Sequence, residues 1–405
     1  MKKRLIPILL ALLILLSLCS CSSGDSSSSV TVPVIDAMKQ FELPDNEALR
    51  FVRSMKTGWN LGNTFDAWNN GWFNGQEPEL ETYWCHAKTT RELISALHAA
   101  GFQSIRVPVS WHDHVDSFYN VNSIWMNRVK EVVQWALDEG MYVIVNVHHD
   151  NDPAYFYPDS AHYDQSARYL TAIWSAMAAA FADCDEHLIL ESMNEPRLTD
   201  TVYEWNFSES SPECRDAAEC INKLNQLFVD TVRATGGRNA TRYLAVPGYT
   251  ASHTGVLSQY FKIPDDTADN RIILSVHAYT PYNFALNMKS GSFREFDIDN
   301  DTNQVKKDIA GFMNELYYKY VAEGIPVMID EYGALNKSGN LQDRVNFAAY
   351  YTCAASARGM TCFWWDNHAF SGNGELFGLI DRKTCEWKFP EIVDAIMANC
   401  MFNRE

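Results

Sequence analysis

Short apolar runs alternate with longer amphipathic segments along most of this 405-residue chain. Eight compact runs rich in Val, Ile, Leu and aromatic residues predict β-strands at 58–61, 104–109, 142–147, 188–193, 243–246, 272–276, 327–330 and 361–365. The segments between them repeat apolar residues at helical spacing and predict helices at 90–100, 123–139, 163–182, 215–235, 304–323, 342–358 and 390–399, with a shorter one after Thr250. An earlier helix is expected at 37–41 or 46–55.

Strand and helix repeated eight times predict one (β/α)8 barrel, the TIM-barrel fold of the α/β class. Several predicted helices end in a glycine, which suits a left-handed helix cap: Gly101, Gly140, Gly236, Gly324 and Gly359. A doubly wound sheet would carry a GxGxxG turn after its first strand, but residues 58–63 read GWNLGN. We therefore expect a single catalytic domain at 42–402, preceded by a tether and lead-in segment at 21–41.

The predicted strands end in polar or aromatic residues, and in a barrel those ends share one mouth. The residues are Asn60, Asn63, Arg106, His148, His149, Asn194, Glu195, His277, Tyr279, Glu331, Trp365 and Asp366. Any one of them alone would be assigned a structural role, because polar groups at strand ends are usually satisfied within the core. Their convergence from six or more strands predicts an active site.

Two glutamates stand out among these residues. Residues 188–197, LILESMNEPR, end an apolar run with Asn194, Glu195 and Pro196, and residues 325–333, IPVMIDEYG, deliver Glu331 in the same way. A carboxylate at the end of a buried strand is costly unless something uses it. Glycoside hydrolysis needs two such groups, one acid for the leaving oxygen and one carboxylate to attack the sugar or to activate water.

The charge balance narrows the possible partners. The chain has 51 acidic residues against 33 Lys and Arg, a net charge of −18, which disfavours nucleic acid and anionic membrane surfaces and favours a neutral substrate. Aromatic residues make up 13% of the chain; most belong to a large core, but aromatic faces also grip sugar rings. We expect no cofactor, no metal and a monomer.

The N-terminus is typical of a targeting segment. Lys2, Lys3 and Arg4 precede an apolar stretch at 5–18, and a serine-rich run follows Cys21. We favour a bacterial lipoprotein signal at residues 1–20, with Cys21 as the lipidated N-terminus, over an ordinary secretory signal. Either one exports the chain, and a lipid on Cys21 would be its membrane attachment. No later segment has the roughly 18 uninterrupted apolar residues of a membrane helix.

Export permits disulfides among the eight cysteines of the mature region. Cys214 and Cys220, which lie close together in an apparent loop, are the most plausible pair. A domain of about 385 residues does not need disulfides, so some of these thiols are expected to be free and buried.

Seven short motifs resemble glycoside hydrolase family 5, the retaining cellulase and β-glycanase family, in the family's order. They are GWNLGNTFDAW at 58–68, SIRVPVSW at 104–111, VNVHHD at 145–150, NEP at 194–196, HAY at 277–279, EYG at 331–333 and WWDN at 364–367. With the segments around them, they extend the resemblance over about residues 50–400. The opening motif is most similar to endoglucanases and xyloglucanases. The resemblance implies retaining, endo-acting hydrolysis of a β-1,4-glucan such as cellulose, mixed-linkage glucan or xyloglucan.

The resemblance also implies roles for individual residues. Glu195 would be the acid/base and Glu331 the nucleophile. We expect burial against aromatics and the charge of Glu331 to keep Glu195 protonated. The supporting residues would be Arg106, His148, Asn194, His277 and Tyr279, with Arg106 and Tyr279 stabilising the Glu331 anion and Asn194 holding the 2-hydroxyl of the sugar. Substrate would contact Asn63, Trp68, Trp72, His149 and Trp365, the last as a floor under the sugar.

Two positions depart from the family pattern, which commonly has glycine at each. Asp330 precedes the nucleophile, and strand alternation predicts that its side chain turns away from Glu331 towards the barrel wall. His368 follows the WWDN motif and could alter a sugar subsite. Other aromatic residues lie near strand-to-helix loops and could line a cleft: Trp111, Trp125, Trp205 and Phe207, of which Trp125 is assigned to the core.

Three alternatives remain open. His148, His149 and Asp150 could form a metal site, but adjacent residues on a strand point to opposite faces, so we rank this below the carboxylate mechanism. A non-catalytic glycan-binding lipoprotein would not need both Glu195 and Glu331. Mannan and xylan stay possible as substrates of the same fold, because function follows the site and not the barrel.

Overall fold

Eight parallel strands pair in chain order and close into a barrel. The computed structural model describes residues 30–401, and the predicted signal segment and Cys21 lie outside them. The strands are β1 (Gly58–Leu61), β2 (Ser104–Val107), β3 (Tyr142–Val145), β4 (Leu188–Glu191), β5 (Leu244–Ser252), β6 (Ile272–His277), β7 (Val327–Tyr332) and β8 (Thr361–Asp366). Each pairs with the next, and β8 pairs with β1. The predicted (β/α)8 barrel is confirmed.

Helices cover the outside of the barrel, where the sequence pattern predicts them. They are α1 (Glu47–Ser54), α2 (Arg91–Ala99), α3 (Ser123–Asp138), α4 (Tyr163–Ala180), α5 (Pro212–Ala234), α6 (His253–Leu257), α7 (Tyr282–Ala285), α8 (Gln304–Lys319), α9 (Leu341–Ser356) and α10 (Pro390–Asn399). Of the two early helices considered, 46–55 is correct. The pattern missed α7 and a small hairpin of β9 (Ile380–Asp381) and β10 (Glu386–Trp387).

Side-chain caps fix where the helices begin. Thr90 accepts a hydrogen bond from the Leu93 amide ahead of α2, and Ser211 accepts one from the Cys214 amide ahead of α5. Each cap satisfies one of the amide groups that a first helical turn leaves without a partner. These short polar residues therefore set the lengths of the strand-to-helix loops, which form the mouth of the barrel.

The lower half of the barrel is a closed apolar core. Met55, Ile144, Ile189, Ile273 and Phe363 pack there, and α1 covers the N-terminal end of the strands. A Cβ atom on Gly58 would lie 2.0 Å from the Phe363 ring, so only glycine leaves room for that side chain. The filled interior confines substrate to the C-terminal ends of the strands.

A bulge in β7 puts Asp330 and Glu331 on the same, inner side of the barrel. On β6, Val276 and His277 are consecutive, but their partners on β7 are Ile329 and Glu331, so Asp330 is an extra residue. A bulge of this kind re-aims side chains and is common beside active sites. Asp330 consequently lies inside the barrel, 3.8 Å from Arg106 Nε, and its predicted position at the barrel wall is wrong.

The predicted Cys214–Cys220 disulfide is also wrong. Both residues lie on α5 and not in a loop, and both are buried free thiols. Six residues of helix separate their Cα atoms by about 9 Å along the axis, beyond the roughly 7 Å that a disulfide can span. None of the other cysteines within residues 30–401 forms a disulfide.

No helix within residues 30–401 is long and apolar enough to cross a membrane. The segment before α1 lies in extended form against the barrel. The Thr31 amide donates to Gln342 Oε1 on α9, the Ile35 amide donates to Asn399 Oδ1 on α10, and the Phe41 amide donates to the carbonyl of Ala357. These contacts tie the lead-in segment to the last two helices.

Candidate active site

Arg106 organises the polar groups at the mouth of the barrel. It is fully buried on β2, and its Nε and Nη2 each donate to the Glu191 carboxylate at 2.8 Å. Nη1 donates to Glu331 Oε1 at 2.7 Å and to Asn60 Oδ1 at 3.0 Å, and Nη2 donates to Asn194 Oδ1 at 2.7 Å. Burial opposes the charge on Arg106, but the surrounding carboxylates raise its pKa well above its usual range. The guanidinium therefore stays positive.

Glu331 is held by two donors. Besides Arg106, the Tyr279 hydroxyl donates to Glu331 Oε2 at 3.0 Å. Burial first, and the Glu331 carboxylate second, raise the pKa of Tyr279 well above its ordinary value, so the phenol keeps its proton and remains a donor. Glu331 is 5% exposed, which leaves it just accessible from the mouth. An anion that is hydrogen-bonded and accessible is suited to act as a nucleophile.

Glu195 pairs with His277 on β6. His277 Nδ1 lies 2.8 Å from Glu195 Oε1, and Arg197 Nη1 lies 3.8 Å from Glu195 Oε2. Burial raises the pKa of Glu195, but the hydrogen bond and charge of His277 outweigh it, and the net pKa is lowered. The expectation that burial and Glu331 keep this carboxyl protonated is therefore wrong, because a histidine next to Glu195 cannot be inferred from the local sequence.

The two candidate catalytic glutamates lie close together. One carboxylate oxygen of Glu195, one of Glu331 and a ring nitrogen of His277 all lie within 4.8 Å of one another. Retaining glycosidases have carboxyl groups about 5–5.5 Å apart, whereas inverting enzymes need about 6.5–9.5 Å to admit a water molecule. The short separation fits the retaining arrangement.

His148 and Trp365 are stacked neighbours in the site. Their rings are parallel within 2°, with centroids 5.8 Å apart. Asn146 Nδ2 lies 3.1 Å from His148 Nδ1, which leaves Nε2 as the protonated nitrogen, and burial lowers the pKa of His148 well below its usual value. A Cβ atom on Gly62 would lie 2.6 Å from the indole, so glycine is needed for Trp365 to pack there. His148 is thus a neutral donor beside an aromatic floor.

His149 lies next to His148 on the same side of the barrel. Its ring centroid is 4.4 Å from that of His148, because β3 ends at Val145 and both histidines belong to the following loop. The prediction that they point to opposite faces is wrong. Burial lowers the pKa of His149 to about 4.

Asn63 has a left-handed backbone, with φ of 56°, and its amide donates to Asp66 Oδ2.

Within residues 30–401, three groups of side chains bring possible ligand atoms within 4.8 Å of one another. They are Asp66 with His148 and His149, Glu191 with His277 and Asp330, and Glu195 with His277 and Glu331. Arg106 already supplies the positive charge next to the last two groups. In the first group, Asp66 accepts two backbone N–H bonds and His148 has its protonated nitrogen turned to the site. We assign no metal to any of them.

The aromatic residues divide into exposed and buried sets. Trp68 is 38% exposed, Trp72 81% and Trp205 63%, whereas Trp111 and Trp125 are fully buried. The assignment of Trp125 to the core is confirmed, and Trp111 belongs there too. Trp84, which the sequence pattern did not single out, joins Trp68 to His149 through ring contacts of 6.2 and 5.8 Å. Phe207 packs against Tyr249 at 5.2 Å.

Sequence reasoning missed several charged residues of the site. Glu191 stands inside the apolar run that leads to Glu195, and a lone glutamate in such a run is a signal that could have identified it. Burial, and then the charge of Glu331, raise the pKa of Glu375, which places this residue near the catalytic pair.

His368 is structural: its Nδ1 lies 2.9 Å from the Cys85 carbonyl oxygen, and its Nε2 accepts from the Arg382 amide.

A closed (β/α)8 barrel with two carboxylates this close at the C-terminal ends of its strands defines a retaining type of glycoside hydrolase. The Cellulase (glycosyl hydrolase family 5) model matches residues 66–371. The chain belongs to glycoside hydrolase family 5, and it is an enzyme of the endoglucanase type.

Individual relatives agree with this assignment. Endoglucanase A of Ruminococcus albus is 38% identical over 368 residues, which cover 90% of this chain and 96% of that protein. The structure of a family 5 lichenase from Caldicellulosiruptor sp. F32 in complex with cellotetraose is 52% identical, with a TM-score of 0.90 over 92% of this chain and 100% of that one. A broad-specificity endoglucanase from Ruminococcus champanellensis with bound cellotriose is 41% identical, with a TM-score of 0.80 and coverage of 88% and 100%.

Proposed function

We propose that this enzyme cleaves β-1,4-glucan backbones internally, by double displacement with retention of the β configuration. The observation that carries the proposal is the close approach of Glu195 and Glu331, whose nearest ligand atoms lie within 4.8 Å. Glu331 attacks the anomeric carbon and forms a glycosyl ester, while Glu195 passes to the leaving oxygen the proton that it shares with His277 across their 2.8 Å hydrogen bond. Glu195 then deprotonates the water molecule that releases the sugar.

The remaining residues position sugar and charge. Arg106 and Tyr279 stabilise Glu331 before the attack, and His277 orients Glu195. Asn194, whose Oδ1 is fixed by Arg106, keeps its amide group for the 2-hydroxyl of the reacting sugar. His148 and His149 donate to neighbouring hydroxyls, Trp365 stacks beneath the ring, and Asn63 also contacts the substrate. These roles are inferred from position and from the chemistry that the reaction needs.

Mixed-linkage glucan and cellulosic glucan are the substrates that the comparisons favour, since relatives include a lichenase and structures with bound cello-oligosaccharides. The test is release of reducing ends by the purified enzyme from lichenan, carboxymethyl cellulose, xyloglucan, mannan and xylan, with Glu331→Gln as the inactive control. A rapid fall in viscosity distinguishes internal cleavage from attack at chain ends. Preference for mannan or xylan would redirect the substrate assignment, and binding without cleavage would support a glycan-binding protein instead.

The proposed location is outside the cell. Residues 1–20 would be removed as a lipoprotein signal, Cys21 would carry the lipid, and residues 42–402 would act as a monomeric catalytic domain on a tether. Replacing Cys21 with Ala should release the enzyme from the membrane fraction and abolish labelling by a radioactive fatty acid. Unchanged membrane association would favour another means of attachment.

A further inference from the structure

Asp330 is a fully buried carboxyl group with an incomplete set of hydrogen bonds. Its Oδ2 accepts from Ser275 Oγ at 2.7 Å, whereas Oδ1 has no hydrogen-bond partner within residues 30–401. An ionised carboxylate in a dry interior normally requires several donors, because burial penalises the charge. The surroundings of Asp330 therefore favour its protonated form more than those of an ordinary aspartate.

Charged groups from the neighbouring strands face this carboxyl group. Arg106 on β2 lies 3.8 Å from Oδ2, and His277 on β6 has Nε2 3.7 Å from Oδ1. Burial, and then the charge of Glu191 on β4, raise the pKa of Asp330 to about 7, while His277 and Arg106 act in the opposite direction. Asp330 thus changes its charge close to neutral pH.

His277 connects Asp330 with the acid/base. One ring nitrogen, Nδ1, is 2.8 Å from Glu195 Oε1 and 3.6 Å from Glu331 Oε2, and the other, Nε2, faces Asp330. Burial alone would lower the pKa of His277, but Glu331, Glu195 and Asp330 raise it to about 9. Arg106 Nη2, at 3.4 Å from Nε2, and the neutral His148 are the other titratable groups nearby.

We propose that Asp330 is a positioning residue for the acid/base chemistry: its buried carboxyl group controls the charge on His277, and His277 controls whether Glu195 holds the proton that the leaving group needs. This inference rests on the proposed function. When Asp330 loses its proton to solvent, its negative charge stabilises the His277 imidazolium. The imidazolium in turn stabilises Glu195 as a carboxylate, which cannot donate a proton. A protonated Asp330 weakens this chain of interactions and leaves Glu195 more often protonated.

The test is the pH profile of kcat/KM for the variant Asp330→Asn, which removes the charge and keeps the shape. The alkaline limb reports the acid in the free enzyme. We expect this limb to move to higher pH by about 0.5–1 unit, since a charge within 4–6 Å typically shifts a pKa by about 1–3 units and here it acts through His277. Asp330→Gly should give a similar shift, because it removes the same charge. It differs from Asp330→Asn in that it also leaves a cavity.

Asp266→Asn is the matched control for loss of a buried carboxylate. Asp266 pairs with Arg233 through two 2.7 Å hydrogen bonds ahead of β6, at the end of the barrel opposite the mouth. This variant should lower the unfolding temperature without moving the alkaline limb. If Asp330→Asn does not fold, Ser275→Ala takes its place: loss of the 2.7 Å hydrogen bond keeps Asp330 protonated to higher pH and should shift the limb in the same direction.

The inference is overturned if the alkaline limb does not move in Asp330→Asn, or in Ser275→Ala where that variant is used. The proposed function still holds in that case, provided that the wild type is active. A wild type that cleaves none of the glucans overturns the proposed function itself. A uniform loss of activity at every pH, with no shift, shows that Asp330 only fills space.

Discussion

The guanidinium carbon of Arg197 lies 4.1 Å from the centre of the Trp205 ring. Arg197 Nη1 also donates to the backbone carbonyl of Glu195 at 3.0 Å. The indole, which is 63% exposed, is therefore fixed beside the proposed acid/base on the loop after β4. We expect this exposed aromatic face to form a wall for the sugar on the leaving-group side of the cleft.

Trp205→Ala should weaken binding on that side. A well-stacked aromatic face contributes about 0.5–1.5 kcal/mol beyond the area it buries, so KM for cello-oligosaccharides should rise about two- to tenfold. Trp205→Phe should recover most of the loss. An aryl cellobioside, which places no sugar on the leaving-group side, serves as the control substrate and should show little change. Equal effects on both substrates would place Trp205 outside the binding site.

Trp68 and Trp72 should contribute unequally on the non-reducing side. Trp68 is 38% exposed and packs edge-on against Trp84, whereas Trp72 is 81% exposed. A supported ring loses less conformational entropy when a sugar stacks on it, so Trp68→Ala should raise KM for long substrates more than Trp72→Ala. Steady-state kinetics on cello-oligosaccharides of increasing length measure this, with the unfolding temperature as the control. If both variants have wild-type kinetics on every polysaccharide, Trp68 and Trp72 do not contribute to substrate binding.

Arg106 should be required for stability as well as activity. Arg106→Met removes a guanidinium that contacts both Glu191 and Glu331 and leaves buried carboxylates unpaired. Breaking a buried ion pair in this way costs about 3–5 kcal/mol. Urea unfolding should show that loss in the free energy of unfolding, and turnover of an activated aryl glycoside should fall at least 100-fold. Arg106→Lys keeps the charge but cannot donate to both carboxylates at once, so it should be intermediate. Wild-type stability in Arg106→Met would contradict this account of the buried network.

His277 should make the protein less stable at alkaline pH. Burial opposes its charge, but neighbouring carboxylates raise its pKa from 6.5 to about 9 in the folded state. Because the folded protein holds this proton more tightly than the unfolded chain, the stabilisation is complete below about pH 6.5 and is lost as pH rises through about 9. Burial lowers the pKa of Lys337 to about 8, which acts in the opposite sense, so the comparison must be between variants.

The measurement is the free energy of unfolding of wild type and His277→Asn between about pH 6 and 10. The wild type should lose its advantage over the variant across this window. Parallel curves would mean that His277 carries no extra proton in the folded protein.

The barrel and the catalytic pair could be predicted because their signals are local. Glu195 and Glu331 each follow an apolar run, and a carboxylate there is costly unless it is used. Glu191 was missed although it lies in the same run as Glu195. Its partner Arg106 is 85 residues away in the chain, and only closure of the barrel brings the two together.

Asp330 and the cysteines show the limits of simple periodicity. Alternation counted back from Glu331 would turn Asp330 outward, but a bulge puts both residues on the inner side. This bulge depends on how β7 pairs with β6 and β8, and both partners are distant in sequence. Cys214 was assigned to a loop because the cap at Ser211 and Pro212, which starts α5 early, was not recognised, whereas Cys220 already lies within the helix predicted at 215–235. The His277–Glu195 contact was missed for the same reason as the Glu191–Arg106 pair. It joins residues 82 positions apart, which only closure of the barrel brings together.

The stereochemical course of the reaction follows from the position of Glu331. One oxygen of its carboxylate lies within 4.8 Å of a Glu195 oxygen, a close approach that fits the retaining arrangement better than the roughly 6.5–9.5 Å between the carboxyl groups of inverting enzymes. Glu331→Ala should therefore lose nearly all activity and recover it with azide as an α-glycosyl azide, because azide then attacks directly with one inversion. Glu195→Ala should instead give the β-azide from substrates with good leaving groups, since azide attacks the ester on Glu331. Proton NMR of the first product from the wild type should detect the β-anomer, and an initial α-anomer would rule out a glycosyl ester on Glu331.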